Sequence, residues 1–144
     1  MRNCKFISMV ILLFLLSGCT NPAEEIISHS ERQFGKKFKE GRIDLLKVFD
    51  FPWDTLYIFY PLIYPEDIEN DTGINYKGNV VPDDTYLFVF VSDGTIIREI
   101  KSRPFRISFE NELMGLNSIK IRSNDAKFLI KATSPGRYRM IKIH

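Results

Sequence analysis

Residues able to do covalent or acid–base chemistry are few in this chain. It carries two histidines, His29 and His144, and two cysteines, Cys4 and Cys19. A histidine working as general base needs a nucleophile and an orienting carboxylate within hydrogen-bond reach. Neither histidine has such partners by spacing, and no Gly-x-Ser-x-Gly elbow occurs. The run Asp67-Ile68-Glu69-Asn70-Asp71 alternates carboxylates as the first half of a calcium loop does. Thr72 then stands where the tight turn requires glycine, and Gly78 stands where a bidentate glutamate should close the shell. Paired carboxylates for glycoside hydrolysis are defined by their separation in space, and the sequence singles out no pair. The expectation is a non-enzymatic protein without catalytic residues, metal ligands or cofactors.

Cys19 differs because of what precedes it. Arg2 and Lys5 make the start positive, residues 6–16 are apolar apart from Ser8, and Ser17 and Gly18 are small. That is the pattern of a secretory signal peptide. The apolar run is too short to span a bilayer, which takes about 20 residues of helix. Leu16-Ser17-Gly18-Cys19 resembles the bacterial lipoprotein signal at all four positions. The resemblance implies that the Cys19 thiol receives a diacylglyceryl group, that a peptidase cuts between Gly18 and Cys19, and that the new amine is acylated with chains such as palmitate. Each buried methylene contributes roughly 0.8 kcal/mol, so two or more chains hold a protein stably on a membrane. Thr20 follows the cysteine, where an Asp would resemble the inner-membrane retention signal of Gram-negative bacteria. The expected location is the cell envelope, lipid-anchored to the outer membrane and facing the periplasm, or to the single membrane of a Gram-positive host.

Removing the signal peptide, residues 1–18, leaves 126 of the 144 residues for one domain, 19–144. Cys4 leaves with the signal and Cys19 is alkylated, so disulfide, redox and zinc-thiolate chemistry are excluded. The chain has 20 basic and 18 acidic residues, and without Arg2 and Lys5 the mature part has 18 of each. That balance argues against nucleic acid or anionic lipid as the main partner. The balance conceals a split. Residues 44–93 hold ten acids against Lys47 and Lys77, whereas residues 94–144 hold eleven bases against Glu99, Glu110, Glu112 and Asp125. Either acidic loops and basic strand faces balance within the fold, or one of them is a surface for a partner.

The elements that must position these groups can be read from periodicity and punctuation. Asn21-Pro22-Ala23-Glu24 opens a helix, with Asn as N-cap and Pro at the first position. The expected helix runs to about Glu40 and stops at Gly41, with Ile27, Phe34 and Phe38 on one stripe and Lys36, Lys37 and Lys39 in its last turn. Residues 42–48 read as a first strand. Residues 53–60, apolar on both faces, read as a central strand. Pro65 and the acids after it open a short second helix, and residues 73–84 read as loop. Residues 86–91 and 95–101 around Asp93-Gly94 read as a hairpin. Phe105, Ile107 and Phe109 alternate with Arg106, Ser108 and Glu110 as a half-buried strand. Residues 119–122 read as a further strand, and 127–132 with 138–143 as a closing hairpin around Ser134-Pro135-Gly136. The fold class is α+β: one N-terminal helix packed on a mostly antiparallel β-sheet, with a short second helix.

Trp53-Asp54, the apolar strand, the Pro-bounded turn and the acidic helix resemble a pattern met in small uncharacterised bacterial lipoproteins, over roughly residues 43–100. The resemblance implies a related fold and no activity. The functional expectation is a lipid-anchored protein-binding module, either an immunity-type inhibitor or an accessory subunit of an envelope assembly. A carboxylate-dependent envelope hydrolase, or a small-ligand or metal-binding lipoprotein, is the alternative. Tyr60 and Tyr64, flanking the Pro turn, and Arg106 and Arg122, on alternating strands, are the candidate partner-binding residues. Because the thiol is the acylation site, Cys19→Ala should leave uncut precursor and abolish labelling by fatty-acid analogues. Normal labelling of that variant would count against the anchor.

Overall fold

The computed structural model describes residues 21–102, 106–109 and 117–143. The expected signal peptide with Gly18, and Cys19, Arg103, Phe105, Glu110 and His144, lie outside the described residues. In chain order the elements are α1 (Pro22–Phe34), β1 (Glu40–Asp44), α2 (Leu45–Val48), β2 (Thr55–Phe59), α3 (Pro65–Thr72), β3 (Tyr86–Ser92), β4 (Thr95–Ser102), β5 (Ile107–Phe109), β6 (Ser118–Arg122), β7 (Lys127–Ser134) and β8 (Arg137–Lys142). Helices and antiparallel-rich sheets together make an α+β fold. Among the described residues there are three helices rather than two, and two sheets rather than one.

Local chemistry explains where the elements begin and end. Asn21 caps α1 by accepting the Ala23 N–H at 3.0 Å, and Pro22 at the first position loses no hydrogen bond. The helix stops at Phe34, not at Glu40, because Gly35 takes a φ of 91° and donates its N–H to Glu31. Lys36, Lys37 and Lys39 therefore lie in the connection beyond the helix. Gly41 has another use. It sits in β1, where an added Cβ would run into the Phe34 ring. The strand expected over 42–48 is cut short by Asp44, whose side chain accepts the Leu46 N–H at 3.0 Å and turns the chain into α2. Asp93 and Gly94 both adopt positive φ, 49° and 71°, as a tight hairpin turn requires.

One sheet has the order β1-β7-β8-β5 and the other β4-β3-β2-β6. All pairings are antiparallel except β5 with β8, which is parallel. The second sheet is the more deeply buried. Leu56, Ile58, Phe88, Phe90, Ile119 and Ile121 point to one side of it and meet Ile43, Phe128, Ile130, Met140 and Ile107 from the first sheet in the main core. α1 joins this core through Ala23, Ile26 and Ile27 and touches α2, β1 and β4, so it packs beside the facing sheets. On the other side, Tyr57, Phe59, Leu87 and Val89 meet Ile63, Ile68 and Val81 in a second core under α3 and its flanking loops. No helix among the described residues is long and apolar enough to cross a membrane.

Phe90 is the best-connected ring of the main core. It lies 5.0 Å from Phe49, 4.9 Å from Phe51 and 5.9 Å from Trp53 between ring centroids, in edge-on geometry, and is fully buried. Phe90→Ala should cost about 3–5 kcal/mol of unfolding free energy, read from the denaturant midpoint. A loss below about 1 kcal/mol would mean the site collapses to fill the gap.

Candidate partner-binding surface

Alternation along β7 and β8 sorts their side chains onto two faces. Phe128, Ile130, Tyr138 and Met140 are buried in the main core. The intervening Lys127, Lys131, Arg137 and Arg139 are exposed, so they lie on the opposite face of the sheet. Strand register brings them together: Lys131 is opposite Arg139, and Leu129 opposite both Arg42 and Ile141. Leu129 and Ile141, half-buried, form an apolar centre with cations around it and with Glu40 and Asp44 of β1 opposite Lys131 and Lys127. The ion pairs among the described residues are Arg106–Glu24 and Lys142–Asp125, and none of the four exposed cations takes part in either.

At Lys131 this face borders the connection after α1. Lys36, Lys37, Phe38, Lys39, Lys131 and Tyr138 are among the residues lining an open groove of about 880 Å³. Phe38 stacks on Tyr138 at 5.3 Å between centroids, 11° from parallel, and supplies its apolar floor. Four lysines along one groove wall raise the local positive potential over that of any single charge. The sequence reading placed three of these lysines in a helical turn and so did not join them to β7. Gly35, six residues before the expected stop at Gly41, was the available signal for the earlier helix end.

The four residues singled out from sequence fall in different places. Arg106 precedes β5 and is held by α1: its Nη2 donates to Glu24 Oε2 at 3.2 Å, and its Nε lies 3.1 Å from Glu24 Oε1. Arg122 belongs to β6 of the other sheet and lines a small cleft with Lys120, Asp125 and Lys142. The structure does not bring these two arginines together on one face. Tyr60 is half-buried rather than exposed, edge-on to Tyr86 at 6.4 Å. Its hydroxyl has no hydrogen-bond partner among the described residues, and burial, then the neighbouring Tyr86, raises its pKa. Tyr64 is 55% exposed, at the N-cap of α3. Of the other aromatics in that segment, Trp53, Tyr57 and Phe59 are core.

His29 lines a groove of about 410 Å³ with Gln33, Arg42, Asp44, Lys47 and Lys127. Among the described residues no group of three or more His, Cys, Asp or Glu is placed to hold a metal ion. No family model, curated protein or solved structure matches the chain.

The acidic half of the sequence lies elsewhere. Residues 60–85, with six acids against Lys77, cap the far side of the β4-β3-β2-β6 sheet, away from the exposed cations. Their attachment is specific. Asp71 accepts the Ser118 hydroxyl of β6, and Glu69 Oε1 accepts the Tyr76 N–H at 2.8 Å. The Tyr76 hydroxyl bonds to Glu99 of β4. Gly78 leaves room for that ring, since a Cβ there would meet the Tyr76 oxygen. Burial, then this hydrogen bond, then the charge of Glu99 raise the Tyr76 hydroxyl well above its ordinary 10.0. Such a group holds its proton more tightly folded than unfolded, so its contribution is intact below pH 10 and is lost as the pH rises beyond it. Tyr76→Phe should cost about 1 kcal/mol at neutral pH and flatten part of the alkaline loss of stability, measured by denaturation on either side of pH 10. An unchanged alkaline slope would show that Glu99 does not hold the hydroxyl.

Proposed function

We propose that this chain is a lipid-anchored, non-enzymatic protein of the cell envelope that captures an acidic protein partner on the exposed face of β7 and β8. The observation that carries the reading is the exposed cationic face of β7 and β8, with Leu129 and Ile141 at its centre and the lysine groove at its edge. An apolar centre within a charged rim is the anatomy of a protein-binding patch. A partner that is an incoming toxin makes the protein an immunity-type inhibitor. A partner that is a resident complex makes it an accessory subunit. The proposed location is the outer membrane facing the periplasm, or the cell membrane in a Gram-positive host, through acyl chains on Cys19. Binding is favoured over carboxylate-dependent hydrolysis because hydrolysis needs two acids converging in a cleft. Each of the grooves described above carries a single acid, Glu40, Asp44 or Asp125.

The test is capture of partners by the lipidated protein from native membranes, with identification by mass spectrometry. Capture should weaken between low and physiological ionic strength, because exposed charges are screened over about 8–10 Å. Lys131→Glu with Arg139→Glu should slow association by about tenfold or more. Arg122→Glu, on the other sheet, should have little effect. Capture indifferent to salt and to the double substitution would leave that face as solvated surface only.

A further inference from the structure

A second exposed patch lies at the end of the molecule from which the N-terminus departs. Leu62 N–H donates to Pro82 O at 3.3 Å, and Val81 N–H donates to Ile63 O at 2.9 Å. This pairing turns Ile63 and Val81 inward, where both are buried. It leaves Leu62, Tyr64 and Val80 exposed by 59%, 55% and 44%, three of the five large apolar side chains exposed on the described surface. Leu62 also has a φ of 62°, a backbone conformation that a leucine rarely adopts. The packing below holds it with its side chain in solvent, where burial gives nothing back.

The place of this patch is set by strand register. Asn21 Oδ1 accepts the Ser102 hydroxyl at 2.6 Å. Ser102 is opposite Tyr86, the next residue pair along is Leu87 with Phe59, and Tyr60 packs against Tyr86. The start of α1, the end of β4, the start of β3 and the end of β2 therefore share one end of the sheet. The chain leaves β2 for the Leu62–Tyr64 turn at that end, and β2 lies two strand spacings, roughly 10 Å, from β4, whose Ser102 holds Asn21. Cys19 precedes Asn21 by two residues, which reach about 7 Å fully extended. A lipid on Cys19 brings that end to the bilayer, and the exposed leucine and tyrosine come with it.

We propose that Leu62, Tyr64 and Val80 seat in the interfacial zone of a zwitterionic bilayer beside the Cys19 anchor. The proposal rests on the lipid-anchor reading. Leucine supplies apolar area, and tyrosine places a ring in the acyl boundary with its hydroxyl among the headgroups. Exposed Glu66 and Asp83 flank the patch, so the fitting headgroup carries an ammonium, as phosphatidylethanolamine does. An anionic surface is disfavoured. The seat gives the protein a fixed orientation, with the Asp93-Gly94 hairpin turned away at the opposite end of the sheet.

The experiment uses the full chain, lipidated in a bacterial host and reconstituted into vesicles of phosphatidylcholine and phosphatidylethanolamine. Leu62→Cys introduces a thiol for an environment-sensitive fluorophore, with Thr95→Cys at the opposite end as its reference. Nitroxide-bearing lipids should quench the label at position 62 several-fold more than the label at 95. Added phosphatidylglycerol should reduce the difference. Equal quenching at both positions, on protein that remains vesicle-bound, would overturn the seat and leave the anchor standing. A wild-type Cys19 thiol that still reacts with a maleimide would remove the anchor, and the seat with it.

Discussion

Both faces of β2 and β3 are buried, and the rest of the chain is arranged to satisfy that constraint. Leu56, Ile58, Phe88 and Phe90 point one way, and Tyr57, Phe59, Leu87 and Val89 point the other. A sheet that is apolar on both sides needs a layer on each. The β1-β7-β8-β5 sheet and α1 supply the first. The second comes from α3 and loops, a layer with little regular structure of its own. Its backbone polar groups cannot be met by a ladder, so side chains meet some of them: Glu69 takes the Tyr76 N–H, and Thr72 takes the Ile74 N–H at 3.1 Å. Carboxylates are well suited to that task, which gives a physical reason for the acidic composition of the cap.

The same constraint leaves one sheet face without a cover among the described residues. Once the β4-β3-β2-β6 sheet has taken the cap on one side and its partner sheet on the other, no further layer among the described residues is left for the outer face of β1, β7 and β8. Alternation then requires polar side chains there, and the chain supplies lysine and arginine on β7 and β8, with Glu40 and Asp44 of β1 opposite Lys131 and Lys127. Charge segregation in sequence thus becomes segregation onto opposite outer layers. Overall neutrality of residues 19–144 coexists with a local excess of positive charge on β7 and β8, the property that steers association.

Local signals in the sequence were reliable, and long-range pairing was not legible. The Asp93-Gly94 hairpin, the closing hairpin at Gly136 and the Asn21 cap each depend on a few adjacent residues, and each formed where the residue types require it. Two glycines competed to end α1, and only the backbone conformation at Gly35 separates a helix stop from the packing glycine at Gly41. The two-sheet arrangement could not be read, because alternation says which side chains share a face and nothing about which strands are neighbours. The parallel pairing of β5 with β8 is of the same kind. At the candidate surface, Arg106 had the alternation of an outward cation. Its pairing with Glu24, 82 positions away, is a tertiary fact that no local pattern carries. The cation row on β7 and β8 was legible residue by residue, but its meeting with Lys36, Lys37 and Lys39 depended on where α1 ends.

Asn21 links these levels through one side chain. Its carboxamide oxygen caps α1 and also accepts the Ser102 hydroxyl at the end of β4. A helix cap is worth roughly 1 kcal/mol, too little to matter to a fold of this size by itself. The second bond changes its role, because it ties the first turn of the helix to the edge of the more buried sheet. Glu24 adds a second tie, through Arg106. A pull on the chain at Asn21 is therefore carried into β4 through Ser102 and, through Glu24, into the segment that leads to β5. On the proposed attachment through Cys19, that stiffness would convert a point attachment into an orientation. Under that proposal the exposed cations, set on the layer opposite the acidic cap, would be presented at a fixed angle to the membrane instead of sampling all of them.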